Sequence, residues 1–389
     1  MNKRKWNERK LSDIATMIDY RGKTPQKSSR GIPLITAKIV KNGTILPANE
    51  FIAENQYASW MTRGYPCVGD VVMTTEAPLG EVAQLRDAHV ALAQRIITIR
   101  GKKDVLDNGY LKYFLQSAEG QGRLRARETG TTVTGIKAAE LRELMIPLPD
   151  IVQQRKISKV LLDLDEKIYN LTQINHNLEE QAALIFADWL QGCNESVAIG
   201  DLSTNILDYT PINNGFVRLL NSSDVTEGVF PDIQLVPNAN LKGHFKKRFQ
   251  LGDILYSEIR PRNHHYGFVL FDASEYIAST RLMVIRALDY KVSPAMLYQY
   301  LLLPNVEAEF TLKTESRSGT FPQGNYADMA SIKIPYAPVK AQNEVSSTLT
   351  KIRQTIANNQ LENRQLSELR DALLPKLMSG ELDISEVQV

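Results

Sequence analysis

The sequence predicts an α+β protein: two similar domains, each followed by one long helix, with the helices paired as an antiparallel coiled coil. Three observations predict it. The chain repeats itself at a shift of 188 residues, both halves carry short β-like runs between Gly, Pro, Asn and Asp turns, and each half ends in seven-residue apolar series.

In the repeat, Ile146 and Pro147 recur as Ile334 and Pro335, Gln154 as Gln342, Leu161 as Leu349, Ile168 as Ile356, Asn170 as Asn358, Leu178 as Leu366 and Gly192 as Gly380. Upstream the match is looser, as expected where loop lengths differ between copies. Gly69-Asp70-Val71-Val72 answers Gly252-Asp253-Ile254-Leu255, and Ala93-Gln94-Arg95 with Ile99-Arg100 answers Ser279-Thr280-Arg281 with Ile285-Arg286. A period this long means duplicated domains rather than a solenoid of short units. The expected segments are a first domain at 1–150, a helix at 151–192, a second domain at 193–338 and a second helix at 339–389.

Within each domain the β-like runs fall at 33–39, 70–74 and 95–99, and at 216–220, 253–256 and 281–285, with a helix following at 110–119 and 294–303. After each domain the pattern changes to helical. Ile157, Leu164, Leu171, Leu178 and Ile185 recur every seven residues, with Leu161, Ile168, Asn175, Ala182 and Trp189 four residues on. The second copy reads Val345, Ile352, Asn359, Leu366 and Leu373, with Leu349, Ile356, Asn363, Arg370 and Leu377. Gly192 and Gly380 suit C-terminal caps, and Pro375 is expected to kink or end the second helix early.

If the helices pair about a pseudo-twofold axis, Asn175 faces Asn359, and such a pair in an apolar seam would penalise shifted registers. Two asparagines on wetted edges of the seam are the plainer alternative. At about 1.5 Å per residue, 36 to 40 helical residues reach roughly 55 to 60 Å, the reach of a rigid spacer.

Composition sets limits. The 389 residues are 43% hydrophobic, enough for sizeable cores. The first residues are charged with no apolar stretch behind them, and no run approaches the ~18 apolar residues of a membrane span, so an unexported, cytoplasmic protein is expected. Cys67 and Cys193 are the only cysteines and lack CxxC spacing, which leaves them as reduced structural thiols. Net charge is +2 but uneven: residues 1–150 hold 23 Lys/Arg against 16 Asp/Glu, and residues 193–338 hold 13 against 15. A chain gripping many phosphates alone would be more basic, so a partner is expected to share that grip.

No catalytic or metal constellation stands out. Gly22-Lys23-Thr24 is no phosphate-binding loop, because that motif needs Gly where Met17 stands. His264-His265 lacks partners at ligand spacing, and Asp163-Leu164-Asp165-Glu166 is read as a solvated helix face. GxSxG, HExxH, a Gly-rich dinucleotide loop and the Asp/Asn-Pro-Pro-Tyr tetrapeptide of adenine methyltransferases are all absent from the sequence.

The loops are richer. Arg, Lys, Thr, Ser and Asn cluster at 20–24, 123–127, 260–265 and 317–320, side chains suited to phosphate oxygens and base edges. Candidate DNA contacts are Arg21, Lys23, Lys38, Thr74, Arg95, Arg125, Thr131 and Thr132 in the first domain. In the second they are Asn221, Ser222, Ser257, Arg260, Arg262, Arg281, Ser318 and Thr320. Arg95 and Arg281 occupy matched positions, where a structural arginine bonding carbonyls is an equal alternative.

Taken together the arrangement resembles one family, the specificity (S) subunits of Type I restriction-modification systems, over nearly the whole chain. The likeness is carried by Trp6 through Ile14, Tyr20-Arg21-Gly22-Lys23-Thr24-Pro25, Gly69-Asp70-Val71-Val72, Gly130-Thr131-Thr132, and Ile146-Pro147-Leu148-Pro149 leading into Gln153-Gln154-Arg155-Lys156-Ile157. The second copy adds Gly252-Asp253-Ile254-Leu255, Ser318-Gly319-Thr320, Ile334-Pro335 and the stretch from Leu369 to Leu382.

The resemblance implies two target recognition domains, each reading half of a bipartite, asymmetric site in double-stranded DNA, and helices that set the gap and bind two modification (methyltransferase) subunits. It leaves open whether restriction (translocase/nuclease) subunits join. It also implies a non-catalytic chain without a cofactor of its own, with S-adenosylmethionine and ATP held by the partner subunits. A self-sufficient scaffold whose two heads bind proteins is the alternative, separable by sequence-dependent DNA binding.

Overall fold

The protein, seen here as a computed structural model, is described for residues 6–130, 134–316, 322–382 and 384. It divides into two compact units, one of residues 1–168 with 366–389, the other of residues 169–365. Each unit therefore holds one head, part of one long helix and the complementary part of the other.

The first unit is built on an antiparallel sheet ordered Ala15–Asp19, Ile96–Gly101, Val71–Thr75, Leu79–Gln84. Alternation along Val71–Thr75 explains why it is buried on both faces. Val71 and Met73 enter a core with Ile97, Ile99, Tyr110 and Phe114. Val72 enters a second core with Tyr20, Leu34 and Ile96, roofed by the small sheet of Phe51–Ile52, Ile32–Ile35 and Ala91–Leu92. Helices Asn108–Gln116 and Ala118–Arg125 start where Asp107 accepts from Tyr110 N at 2.9 Å and Ser117 accepts from Gly120 N at 3.1 Å.

The second unit has the same strand order in its main sheet: Ser203–Asn205, Leu282–Ala287, Ile254–Ser257, Tyr266–Phe268. Its helices are Pro294–Leu301 and Pro304–Glu315, both with Pro in the first turn, where the missing N–H costs no helical bond. In each unit a strand leading into the head pairs with the strand leaving it, Asn7–Lys10 with Met145–Leu148 and Glu195–Ala198 with Lys333–Tyr336. All four strands keep the 188-residue shift.

The Gly-Asp motifs are structural. Asp70 is 1% exposed and takes Arg100 Nε and Nη2 at 2.7 Å each, while Asp253, fully buried, takes Arg286 Nε at 2.6 Å and Nη2 at 2.8 Å. Each clamps the turn before the central strand to the end of its sheet neighbour. Gln154 and Gln342 tie each long helix to its head. Gln154 Nε2 donates to Val105 O and Pro149 O, and Gln342 Nε2 donates to Lys291 O and Ala337 O.

The long helices are Ile151–Leu190 and Val339–Met378, 40 residues each. In the second unit they run antiparallel: Trp189 Nε1 donates to Ala341 O, Arg353 pairs with Glu179, Asn359 with Asn175, and Asn363 with Thr172. In the first, Arg370 Nη1 meets Asp165 Oδ1 at 2.9 Å. The expected seam is only partly a helix-to-helix seam. Ile157, Leu161 and Leu377 belong to the first head's core, and Ala182, Leu349, Ile352 and Ile356 to the second's, because the helix ends lie against the heads.

Pro375 does not end its helix, which continues to Met378. Proline in a last turn removes a single N–H donor, and Leu377 (1% exposed) and Met378 hold that turn in the core. Gly380 follows in the left-handed region at φ 68°, as a C-terminal cap requires, whereas Gly192 is not among the positive-φ glycines. Both cysteines are free thiols, Cys67 exposed and Cys193 half-buried.

Candidate nucleic-acid interface

In the first head the turn carrying Arg21 converges with the turn carrying Arg95 and the strand end at Glu76. With Gln94, Thr129 and Lys137 they line a concavity of 380 Å³. Arg21 is largely committed within the fold: Nε lies 3.0 Å from both Asp19 oxygens, Nη2 2.7 Å from Oδ2, and Nη1 donates to Ile136 O at 3.0 Å. Asp19's carboxyl is held below the usual range because these bonds and the charges of Arg21 and Arg63 outweigh its desolvation, the largest single influence. Arg95 is more available. Its side chain is 57% exposed and pairs with Glu76 Oε1 at 3.1 Å. Its guanidinium faces that carboxylate, while its backbone O accepts Thr75 N at 3.0 Å.

Arg281 repeats this placement: its backbone O accepts Glu258 N at 2.9 Å, and the residue is exposed. Lys38 is exposed and ion-paired with Glu50, Lys23 donates to Thr62 Oγ1 at 3.2 Å, and Arg125 donates to Gln121 O at 3.3 Å. Arg262 is 72% exposed and pairs with Glu315 at 3.1 Å. Arg260 is exposed in the left-handed region, φ 48°. Ser222 is half-buried, and Asn221 closes a local turn through Asp224 Oδ2 at 2.7 and 3.0 Å. Thr131, Thr132, Ser318 and Thr320 lie outside the described residues.

Two nominated residues are buried within the fold. Thr74 and Ser257 occupy the same position on matched strands and are 0% and 2% exposed. Thr74 Oγ1 donates to Pro78 O at 2.6 Å and accepts Glu81 N at 2.9 Å. Ser257 Oγ donates to Ile259 O and accepts Ile259 N, both at 3.0 Å. Both hydroxyls bond the turn that follows the strand. Glu76, Gln94 and Lys137 join the concavity without having been singled out. Gln94 stands inside the repeated triplet with Arg95, the one sequence signal that pointed to it.

The acidic run read as a solvated face is engaged at Asp165, and the histidine pair at His264. Asp165 accepts Lys112 Nζ at 2.5 Å, Tyr113 Oη at 2.6 Å and Arg370 Nη1 at 2.9 Å. His264 has Nδ1 3.0 Å from Glu227 Oε1 and Nε2 2.9 Å from Glu307 Oε1. The Glu227 hydrogen bond raises the His264 pKa, Glu307 adds to it, and desolvation opposes it less. No group of three or more His, Cys, Asp or Glu among the described residues is placed to hold a metal. No helix among them is long and apolar enough to cross a membrane.

Two mixed α+β heads with the same main-sheet order, each closed on an antiparallel helix pair and each with an exposed arginine on an equivalent turn, define a duplicated two-headed protein. The chain belongs to the Type I restriction modification DNA specificity domain family, whose model matches residues 3–180 and 198–368. It is thus a specificity subunit, the non-catalytic component that recognises DNA for a Type I restriction-modification complex.

Among curated relatives, the HindI specificity subunit of Haemophilus influenzae is 33% identical over 190 residues, 48% of this chain and 40% of that protein. The MjaIX specificity subunit of Methanocaldococcus jannaschii is 23% identical over 98% of this chain and 94% of its own length. The crystal structure of a Type I S subunit from M. genitalium has the same fold, with a TM-score of 0.62 at 16% identity and 97% of each chain covered.

Proposed function

We propose that the two heads are target recognition domains related by a pseudo-twofold axis, reading the two halves of a bipartite, asymmetric site in double-stranded DNA. The paired helices set the non-specific gap and receive two modification subunits, which bring S-adenosylmethionine; any restriction subunits bring ATP. The working parts are 1–150, 151–192, 193–338 and 339–389, acting in the cytoplasm.

The observation that carries this reading is the matched exposure of Arg95 and Arg281 on equivalent turns of two heads with the same sheet order. Similar but non-identical heads should read different short sequences in the same manner. Arg21, Lys23, Lys38, Arg125, Thr131 and Thr132 are the further contacts proposed in the first head, and Asn221, Ser222, Arg260, Arg262, Ser318 and Thr320 in the second. Arg21 acts mainly by fixing its turn.

The test is co-expression with the modification subunit encoded beside it and genome-wide mapping of adenine methylation. A two-part motif with a fixed gap is expected. Exchanging residues 1 to 150 should change one half-site, and altering helix length within 157–189 only the gap. A stable complex that methylates no motif would sink the reading.

A further inference from the structure

The helix contacts carry one position whose charge the 188-residue repeat inverts. Asp165 and Arg353 are the same position in the two copies. In the first unit Asp165 meets Arg370 of the second helix, beside Lys112 and Tyr113 of the head. In the second unit Arg353, 3% exposed, meets Glu179 of the first helix, donates to Gln299 Oε1 at 2.6 Å, and lies 4.7 Å over the Tyr298 ring.

Replacing one helix by a second copy of the other predicts what like helices would meet. Two first helices would set Asp165 of one against Glu179 of the other, and Asn175, which now accepts from Asn359 at 2.8 Å, against Leu171. Two second helices would set Arg353 against Arg370. Every like pairing brings like charges together twice at a largely desolvated layer, where they repel most strongly. The pairing that exists brings opposite charges together at both.

We propose that Asp165, Glu179, Arg353 and Arg370 form a charge address that directs each long helix to the other and rejects a second copy of itself. Partner choice is thus set by repulsion in the wrong pairing as well as attraction in the right one. The chain closes on itself rather than exchanging halves with another copy. The head groups around each charge, Lys112 and Tyr113 at Asp165 and Gln299 with the Tyr298 ring at Arg353, belong to the same half as the charge they hold, so they fix it in place in either pairing and leave the choice to the charge on the facing helix.

The test uses the full chain with a protease site in the turn after the first helix, cut once folded, and native mass spectrometry of the pieces after equilibration. In the wild type, unlike pairs of 1–192 with 193–389 should exceed like pairs by at least about tenfold. The variant E179R/R353E keeps opposite charges in the native pairing but also makes both like pairings charge-matched, so like pairs should appear. The neutral variant E179Q/R353Q, which tests the same point with less change at the head, should also admit them. Like pairs in statistical proportion in the wild type would overturn the proposal. So would unlike pairs alone in both folded variants.

Discussion

Asn359 Nδ2 donates to Asn175 Oδ1 at 2.8 Å where the two long helices cross within the second unit. A half-buried amide pair between the helices contributes little net energy, but its loss on one side leaves the other unsatisfied. Asn359→Leu is therefore expected to cost about 1 to 2 kcal/mol. Asn175→Leu with Asn359→Leu should recover that stability while admitting shifted registers. Thermal unfolding with cysteine crosslinks across the helices checks both. An unchanged register in the double variant would remove any specifying role for the pair.

The exposed arginines should separate binding from stability. Arg281→Ala is expected to leave the melting temperature unchanged and to weaken binding to the cognate site by about 1 to 3 kcal/mol, relaxing one half-site only. Arg95→Ala should do the same to the other half. Fluorescence anisotropy of the assembled complex with half-site variants checks them.

Thr74→Val should behave oppositely. It deletes the acceptor for Glu81 N and the donor to Pro78 O in a fully buried position, for an expected loss of roughly 1 to 3 kcal/mol of stability. Ser257→Ala should follow it in the second unit. Differential scanning calorimetry would show a lowered transition, and the bases read should not change.

Breaking either Gly-Asp clamp should cost more. Asp253→Asn leaves a buried amide facing the Arg286 guanidinium, and a loss of roughly 2 kcal/mol or more is expected. Chemical denaturation of the variant beside Asp70→Asn would show both units depending on the same contact.

The second unit should lose stability as pH rises. His264 donates from both ring nitrogens only as the imidazolium, so its folded pKa lies above the ordinary 6.5. Its contribution is fully present below that unfolded value and is lost as pH climbs through the raised folded value. Thermal midpoints taken from about pH 6 to about pH 9 should fall in the wild type, and His264→Gln should remove that component. At 37% side-chain exposure the effect is expected to be small.

The sequence by itself determined the duplication, the helix pair and the central strands. The first shows as a shift of 188 residues and the others in local terms, a seven-residue apolar period and short β-like runs such as 253–256, which overlaps the strand Ile254–Ser257. Only the tertiary structure decided what the polar residues do. Thr74 was nominated beside Arg95 on composition alone, and burial separated them, because exposure depends on which strands flank a position rather than on its neighbours in sequence. Asp165 looked like one acid in a solvated run until a lysine 53 residues away and an arginine 205 residues away closed around it. Pro375 is tolerated because the last turn of its helix is packed into a core formed mainly by residues from the other end of the chain. Periodicity is a property of adjacent residues, whereas desolvation and charge pairing belong to the folded neighbourhood.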